Sequence, residues 1–138
     1  MLKNDQKLRV IGLMSGTSLD GCDAVLCEIT PNGCSLKIET KGFVTVPMPS
    51  ELRETIVLQL KPETSRIDKL TKLDSALSFW FIDAVDSLLA STGLKRSDID
   101  LIGSHGQTMW HDVTPGTTHP MTWQLGDGSF IAAVTGDF

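Results

Sequence analysis

The sequence predicts one α/β domain, a mixed β-sheet flanked by helices, with elements in the order β-β-β-α-α-β-β-α. Three observations lead there. Strand-like apolar runs succeed one another before residue 50, separated by turn residues. One apolar stripe then recurs at steps of three and four from Ile67 to Leu88. A short buried run, Leu101-Ile102-Gly103, comes after that stripe, and a strand reached through a helical crossover is a candidate to lie parallel to the first.

Each element has its own signal. Val10 to Met14 is a buried-looking strand that enters a Gly/Ser/Thr turn and passes without a helix into a second run, Ala24-Val25-Leu26-Cys27. Pro31-Asn32-Gly33 is a turn. Leu36, Ile38 and Thr40 alternate with Lys37, Glu39 and Lys41, giving a half-exposed third strand that continues through Val46 and closes a meander at Pro47 and Pro49. Ser50 is expected to cap a short helix, with Glu51 in its first turn, where negative charge suits the helix dipole.

Ser65-Arg66-Ile67-Asp68 has the spacing of a capping box for the long helix. Ile67, Leu70, Leu73, Leu77, Phe81, Ala84 and Leu88 form its apolar face, and Gly93 is a stop signal. Phe79 and Trp80 lie off that stripe and are expected to pack on another element. The strand at Leu101-Ile102-Gly103 delivers Ser104-His105-Gly106-Gln107-Thr108 at its C-terminal end, where ligands of α/β sheets gather. Trp110-His111-Asp112, a loop from Val113 to Pro120 and a strand at Met121–Leu125 come next. Asp127 is placed to cap a helix over Ser129–Thr135 that stops at Gly136.

Bulk properties exclude several classes. A chain of 138 residues with 41% hydrophobic content can bury a real core. A net charge of −5 without a basic stripe argues against nucleic acid or an anionic membrane surface as partner. The polar start, Met1 to Lys7, has no signal-peptide run, so a cytoplasmic location is expected. Cys22, Cys27 and Cys34 form no C-x-x-C pair, which argues against a zinc site or a disulfide framework. His105 and His111 lack a metal-helix spacing.

The turn Gly16-Thr17-Ser18-Leu19-Asp20-Gly21 is the chemically richest segment. Successive amides and small hydroxyls can surround phosphate oxygens where a bulky side chain would block approach. Asp20 and Asp23 would repel a bare phosphate but suit one that arrives with a divalent cation. A Walker loop is excluded, because Cys22 and Asp23 stand where it needs Lys and Ser/Thr. The dinucleotide fingerprint fails at Gly126-Asp127-Gly128, which has no third glycine. A β-hairpin phosphate loop remains, beside the plainer reading of a ligand-free turn built from ordinary turn residues. His105 likewise reads either as a ligand contact or as a partner for backbone groups.

Gly12-Leu13-Met14-Ser15-Gly16-Thr17-Ser18-Leu19-Asp20-Gly21 and Gly103-Ser104-His105-Gly106-Gln107-Thr108, together and in this order, resemble the anhydro-N-acetylmuramic acid kinases. Trp110-His111 and Gln124-Leu125-Gly126-Asp127 extend the resemblance, which runs from about Leu8 onward. It implies a ribonuclease-H-like sheet, the first domain of the actin-like ATPase fold of the actin/hexokinase/Hsp70 superfamily. It also implies an ATP- and Mg²⁺-dependent kinase of cell-wall recycling. Such an enzyme opens 1,6-anhydro-N-acetylmuramic acid with water and phosphorylates O6, giving N-acetylmuramate 6-phosphate.

By the same resemblance, Gly16, Thr17, Ser18, Leu19, Asp20, Gly21, Cys22 and Asp23 form the ATP-binding loop. Asp20 or Asp23 would hold metal-bound water, since Met14 stands where many superfamily members carry a metal-directed Asp. Ser104, His105, Gln107 and Thr108 would line the sugar side, and a homodimer is implied. The family's catalytic aspartate belongs to a Gly-x-Asp-x-Gly-Pro segment absent from residues 1–138. The chain is therefore expected to be one N-terminal domain without its adenine-binding second domain, inactive alone. The alternative is a non-catalytic binding or regulatory domain that keeps the sugar-kinase fold. Val134-Thr135-Gly136-Asp137-Phe138 resembles two family segments joined without the strand between them, which predicts a poorly anchored last helix.

Overall fold

The computed structural model describes residues 6–136. The chain runs β1 (Leu8–Ser15), β2 (Gly21–Asn32), β3 (Ser35–Pro47), α1 (Ser50–Gln59) and α2 (Ile67–Thr92), then a 3₁₀ turn at Arg96–Asp98. It continues through β4 (Leu101–Asp112), β5 (Met121–Leu125) and α3 (Gly128–Thr135), reproducing the predicted order. The strands form one five-stranded sheet in the order β3-β2-β1-β4-β5. β1 and β4 are parallel and every other pair is antiparallel. This is a mixed α/β sheet of the kind found in the first domain of actin-like sugar kinases.

The core lies between the sheet and α2. Alternation along β1 and β2 turns Ile11, Leu13, Ala24 and Leu26 inward, where all are buried. Leu73, Leu77, Phe81, Ala84 and Leu88 meet them from α2. Ile67 departs from its predicted place: it is the first residue of α2 and 77% exposed, at the rim of a cleft with Trp123 and Leu125 of β5. Close packing of α2 on β3 is set by Gly42, where a Cβ would sit 2.5 Å from Thr92 Cγ2. The outer face of the sheet is open, with Met14, Phe43 and Leu101 exposed.

The helix ends correct two expectations. Ser50 is the first residue of α1 instead of its cap; Pro49 holds the cap position, and no side chain caps the helix. The Ser65–Asp68 capping box does not form either. Arg66 occupies the cap of α2, its N–H donates to Gln59 Oε1 at 2.9 Å, and its Nε donates to Asp68 at 3.0 Å. The partner for this first turn comes from α1, so no local motif could reveal it. At the other end Gly93 adopts the left-handed conformation expected of a stop residue.

Two off-stripe aromatics find other elements. Trp80 donates its indole N–H to the Pro47 carbonyl at 3.3 Å, and Phe79 meets Phe130 of α3 edge-on at 5.0 Å. The last helix is better held than predicted. Asp127 caps it by accepting the N–H groups of Ser129 and Phe130, Ile131 is buried, and Arg96 Nη1 donates to the Val134 carbonyl at 2.8 Å. Asp137 and Phe138, the end of the joined segment, lie outside the described residues.

Glu28 and Glu39 face each other across β2 and β3, a repulsive pairing on its own. Lys7 at 2.9 Å, Arg9 at 3.3 Å and Lys41 at 3.3 Å surround Glu28, and Lys41 also reaches Glu39 at 2.7 Å. The hydrogen bond from Lys7, then those from Lys41 and Arg9, hold the Glu28 carboxyl down at about 2. A carboxyl depressed in the folded state stabilises above its ordinary value of 4.5 and loses that contribution as pH falls toward about 2. Glu28→Gln should therefore flatten the acid-side fall of the urea midpoint across that window, modestly because water screens the pairs. Identical slopes for both proteins would remove Glu28 from the acid response.

Candidate functional site

The hairpin between β1 and β2 is built by opposed demands. Ser15 pairs with Cys22, so only Gly16 to Asp20 lies between β1 and β2. Within it Leu19 has φ 55°, a left-handed conformation uncommon for a branched side chain, while that side chain is only 7% exposed. Leu19 thus pins the turn to the core from below. Its N–H donates to the Gly16 carbonyl at 3.4 Å, and Met48 N–H donates to the Asp20 carbonyl at 3.0 Å. Thr17 and Ser18 are left on the outside, exposed. Among the described residues, their N–H groups have no protein acceptor.

Hydroxyls address both carboxylates. Ser18 Oγ donates to Asp20 at 2.7 Å and Thr45 Oγ1 donates to Asp23 at 2.6 Å. The Ser18 hydrogen bond, with backbone N–H groups, lowers the Asp20 pKa, so this exposed group is anionic at neutral pH. Asp23 projects on the sheet face opposite the core, paired with Met14. Gly21 cannot carry a side chain, because a Cβ there would lie 2.9 Å from the Val46 carbonyl oxygen. Cys22 is buried and its thiol is pushed up to about 11 by burial, so it is an inert packing group at neutral pH.

The second predicted segment lies inside a strand, not beyond one. The sequence pattern ends β4 at Gly103, yet the strand runs to Asp112, supported by β1 on one side and β5 on the other. Its register against β1 slips once: Leu13 pairs with Ser104, but Ser15 pairs with Gln107. The extra residue is accommodated at Gly106, with φ 73°, where a Cβ would sit 2.6 Å from the Leu125 carbonyl oxygen. This is a β-bulge, and it re-aims the side chains beyond it.

The bulge separates the four predicted sugar-side residues. Ser104 is exposed and lines a cleft of about 260 Å³ against Gly126, Ile131 and Ala132. His105 is exposed, its Nδ1 3.2 Å from the Gly106 carbonyl oxygen. Thr108 is half-buried. Gln107 is fully buried; its Oε1 accepts Ser15 Oγ–H at 2.7 Å, and its Nε2 donates to the Gly16 carbonyl at 3.3 Å. The structure therefore brings Gln107 against the hairpin, a juxtaposition that strand alternation without the bulge does not predict.

Oxygen donors, exposed amides and an anionic Asp20 on one turn fit a phosphate group carried with a hard cation. Mg²⁺ needs only one or two protein carboxylates beside phosphate and water. Among the described residues no cluster of three or more His, Cys, Asp or Glu side chains gathers for a metal. No described helix is long and apolar enough to cross a membrane. A cleft of about 760 Å³ lined by Leu58, Leu73, Phe79 and Trp80 lies between α1 and α2 and includes none of the hairpin residues.

A mixed sheet in this order is consistent with the first domain of an actin-like sugar kinase. The family model described as anhydro-N-acetylmuramic acid kinase matches residues 8–138, and the chain belongs to that family. It is 42% identical over 130 residues, 94% of its length, to an anhydro-N-acetylmuramic acid kinase of Sulfurovum sp.. Kinases of the same name from Salinibacter ruber and Photobacterium profundum are 39% and 41% identical, each over 92% of this chain. The chain spans about a third of the length of these relatives (34%, 33% and 32%).

Proposed function

We propose that residues 1–138 form a single N-terminal domain that grips the phosphates of ATP for a sugar kinase. The full reaction opens 1,6-anhydro-N-acetylmuramic acid with water and phosphorylates O6, giving N-acetylmuramate 6-phosphate and ADP. Water adds at the anomeric carbon as its bond to O6 breaks, and the freed O6 takes the γ-phosphoryl group. The observation that carries this reading is the hairpin: Leu19 is anchored in the core while Thr17 and Ser18 stay exposed and Asp20 stays anionic.

The roles come from residue type. The Thr17 and Ser18 amides and hydroxyls receive β- and γ-phosphate oxygens, and Gly16 and Gly21 keep the backbone close enough for that approach. Asp20 and Asp23 would hold Mg²⁺ through bound water; the ion supplies neutralisation of the charge on the transferring group. Exposed Ser104 and His105, with Thr108, remain the candidates for hydroxyl and amide groups of the sugar. Positioning from both walls of a cleft governs phosphoryl transfer, so this wall acts together with residues from the larger part of a full-length family member. The same reading carries a cytoplasmic homodimer with it.

Titration of Mg²⁺·ATP into the isotope-labelled chain is expected to move the amide resonances of residues 16–23. Asp20→Asn should weaken that binding by about tenfold, the scale of one lost charge-assisted contact, and leave metal-free binding within about twofold. Shifts confined to other segments, or equal affinity for both proteins, would exclude the hairpin as the phosphate site.

A further inference from the structure

The buried Gln107 side chain has no direct path to a ligand, yet it touches the phosphate turn at two points. Its amide orientation is fixed by chemistry. Gly16 and Thr108 present carbonyl oxygens, each 3.3 Å from Nε2, so the NH₂ group must face them. Oε1 then faces Ser15, whose hydroxyl donates at 2.7 Å; the Gly21 carbonyl, at 3.3 Å, is the more distant acceptor for the same proton. One amide therefore ties β4 to the Ser15–Gly16 end of the hairpin.

We infer that Gln107 is a positioning residue for the phosphate turn, setting the Gly16 peptide so that the Thr17 and Ser18 amides converge. This rests on the phosphate reading of the hairpin and replaces a sugar contact for this side chain. The bulge at Gly106 exists in service of this geometry, since it moves Gln107 onto the inner face beside Ser15. Among the described residues the turn is also held by Leu19 in the core and by the Leu19–Gly16, Ser18–Asp20 and Met48–Asp20 hydrogen bonds, and Gln107 is what ties its Gly16 end to β4.

Gln107→Glu separates positioning from simple packing. A protonated carboxyl keeps one acceptor for Ser15 and one donor for the Gly16 carbonyl. An ionised one has no donor and confronts two carbonyls, and its burial raises its pKa. The variant's Mg²⁺·ATP affinity relative to wild type at the same pH should be about tenfold weaker at pH 8 and recover to within about twofold near pH 5. The titratable groups of the surrounding elements, His105 on β4, Asp20, Cys22 and Asp23 around the hairpin and Asp74 on α2, are common to both proteins and cancel in that ratio.

Amide hydrogen exchange is measured alongside. Residues 16–20 should exchange faster in Gln107→Glu at pH 8 and in Ser15→Ala, with α2 unchanged. If wild type binds no Mg²⁺·ATP, the proposed function fails, while local loosening of the turn still supports positioning and unchanged exchange overturns it. An affinity ratio independent of pH, with exchange raised across the whole domain, overturns it in favour of packing. Loss of anhydro-sugar binding at unaltered ATP affinity overturns it in favour of a sugar contact.

Discussion

Gly126→Ala is expected to destabilise the domain by about 3 kcal/mol, the sum of a left-handed backbone penalty and an overpacking penalty. Gly126 has φ 112°, and a Cβ there would lie 2.5 Å from Phe81 Cε2 and 3.0 Å from Cδ2. Phe81 is fully buried against the sheet and has no room to retreat. The Gly126 N–H also donates to Asp74 at 2.6 Å, and the next N–H, of Asp127, donates to Ser78 Oγ at 2.8 Å. A shift that relieved the clash would break both bonds. Thermal unfolding should show a midpoint lower by about 12 °C, at roughly 4 °C per kcal/mol for a domain of this size. Gly128→Ala is the control, since nothing lies within 4 Å of a Cβ there. Equal midpoints for the two variants would show that the corner between β5 and α3 yields freely.

Leu19 provides the second large effect, and here the order of two variants matters more than their size. Leu19→Ala removes a side chain that is 7% exposed and keeps the left-handed backbone at φ 55°. A loss of about 3 kcal/mol is expected, as for other buried leucines. Leu19→Gly removes more side chain but relieves about 1 kcal/mol of left-handed strain, so it should cost less than alanine. In most folded contexts glycine costs more than alanine. Urea unfolding of both variants decides the matter: glycine falling below alanine would mean that the turn holds Leu19 without strain. Both should also weaken Mg²⁺·ATP binding, because the anchor beneath Thr17 and Ser18 is gone.

Much of this molecule is legible in its sequence. Alternation through β1 and β2, the stripe of α2 from Leu70 onward, the stops at Gly93 and Gly136 and the cap at Asp127 depend on neighbours close along the chain, and all appear in the fold; the alternation at the start of β3 marks no buried face, since Leu36 and Ile38 are exposed. The features that escape depend on distant partners. The cap residue of α2, Arg66, has its N–H taken by Gln59 of α1, so Ser65 and Asp68 mislead. The Ser-His-Gly-Gln-Thr segment reads as a loop by composition, yet it is held as a strand by β1 and β5 together. In the candidate site, the hairpin residues are readable because turn chemistry is local. The inward aim of Gln107 is not, because a bulge declares itself only in pairing. Gly106 between two polar residues is its one trace, and glycine in a strand can mean several things.

That glycine also sets the parity of β4 from Gln107 to Met109. Before it, the even-numbered Ile102 shares the side of Ile11, and after it the odd-numbered Gln107 and Met109 are the buried ones. The strand thus changes phase at one added residue against β1, and its register against β5 shifts again between Thr108 and Trp110. Closing the bulge with every residue kept would set Gly106 opposite Ser15 and turn Thr108 inward in place of Gln107, whereas deleting Gly106 would leave Gln107 opposite Ser15 in an uninterrupted strand. A lineage can lose or exchange side chains here gradually, but the spacing between Ser104 and Gln107 is discrete. A change in the number of residues there makes or removes the bulge in one step.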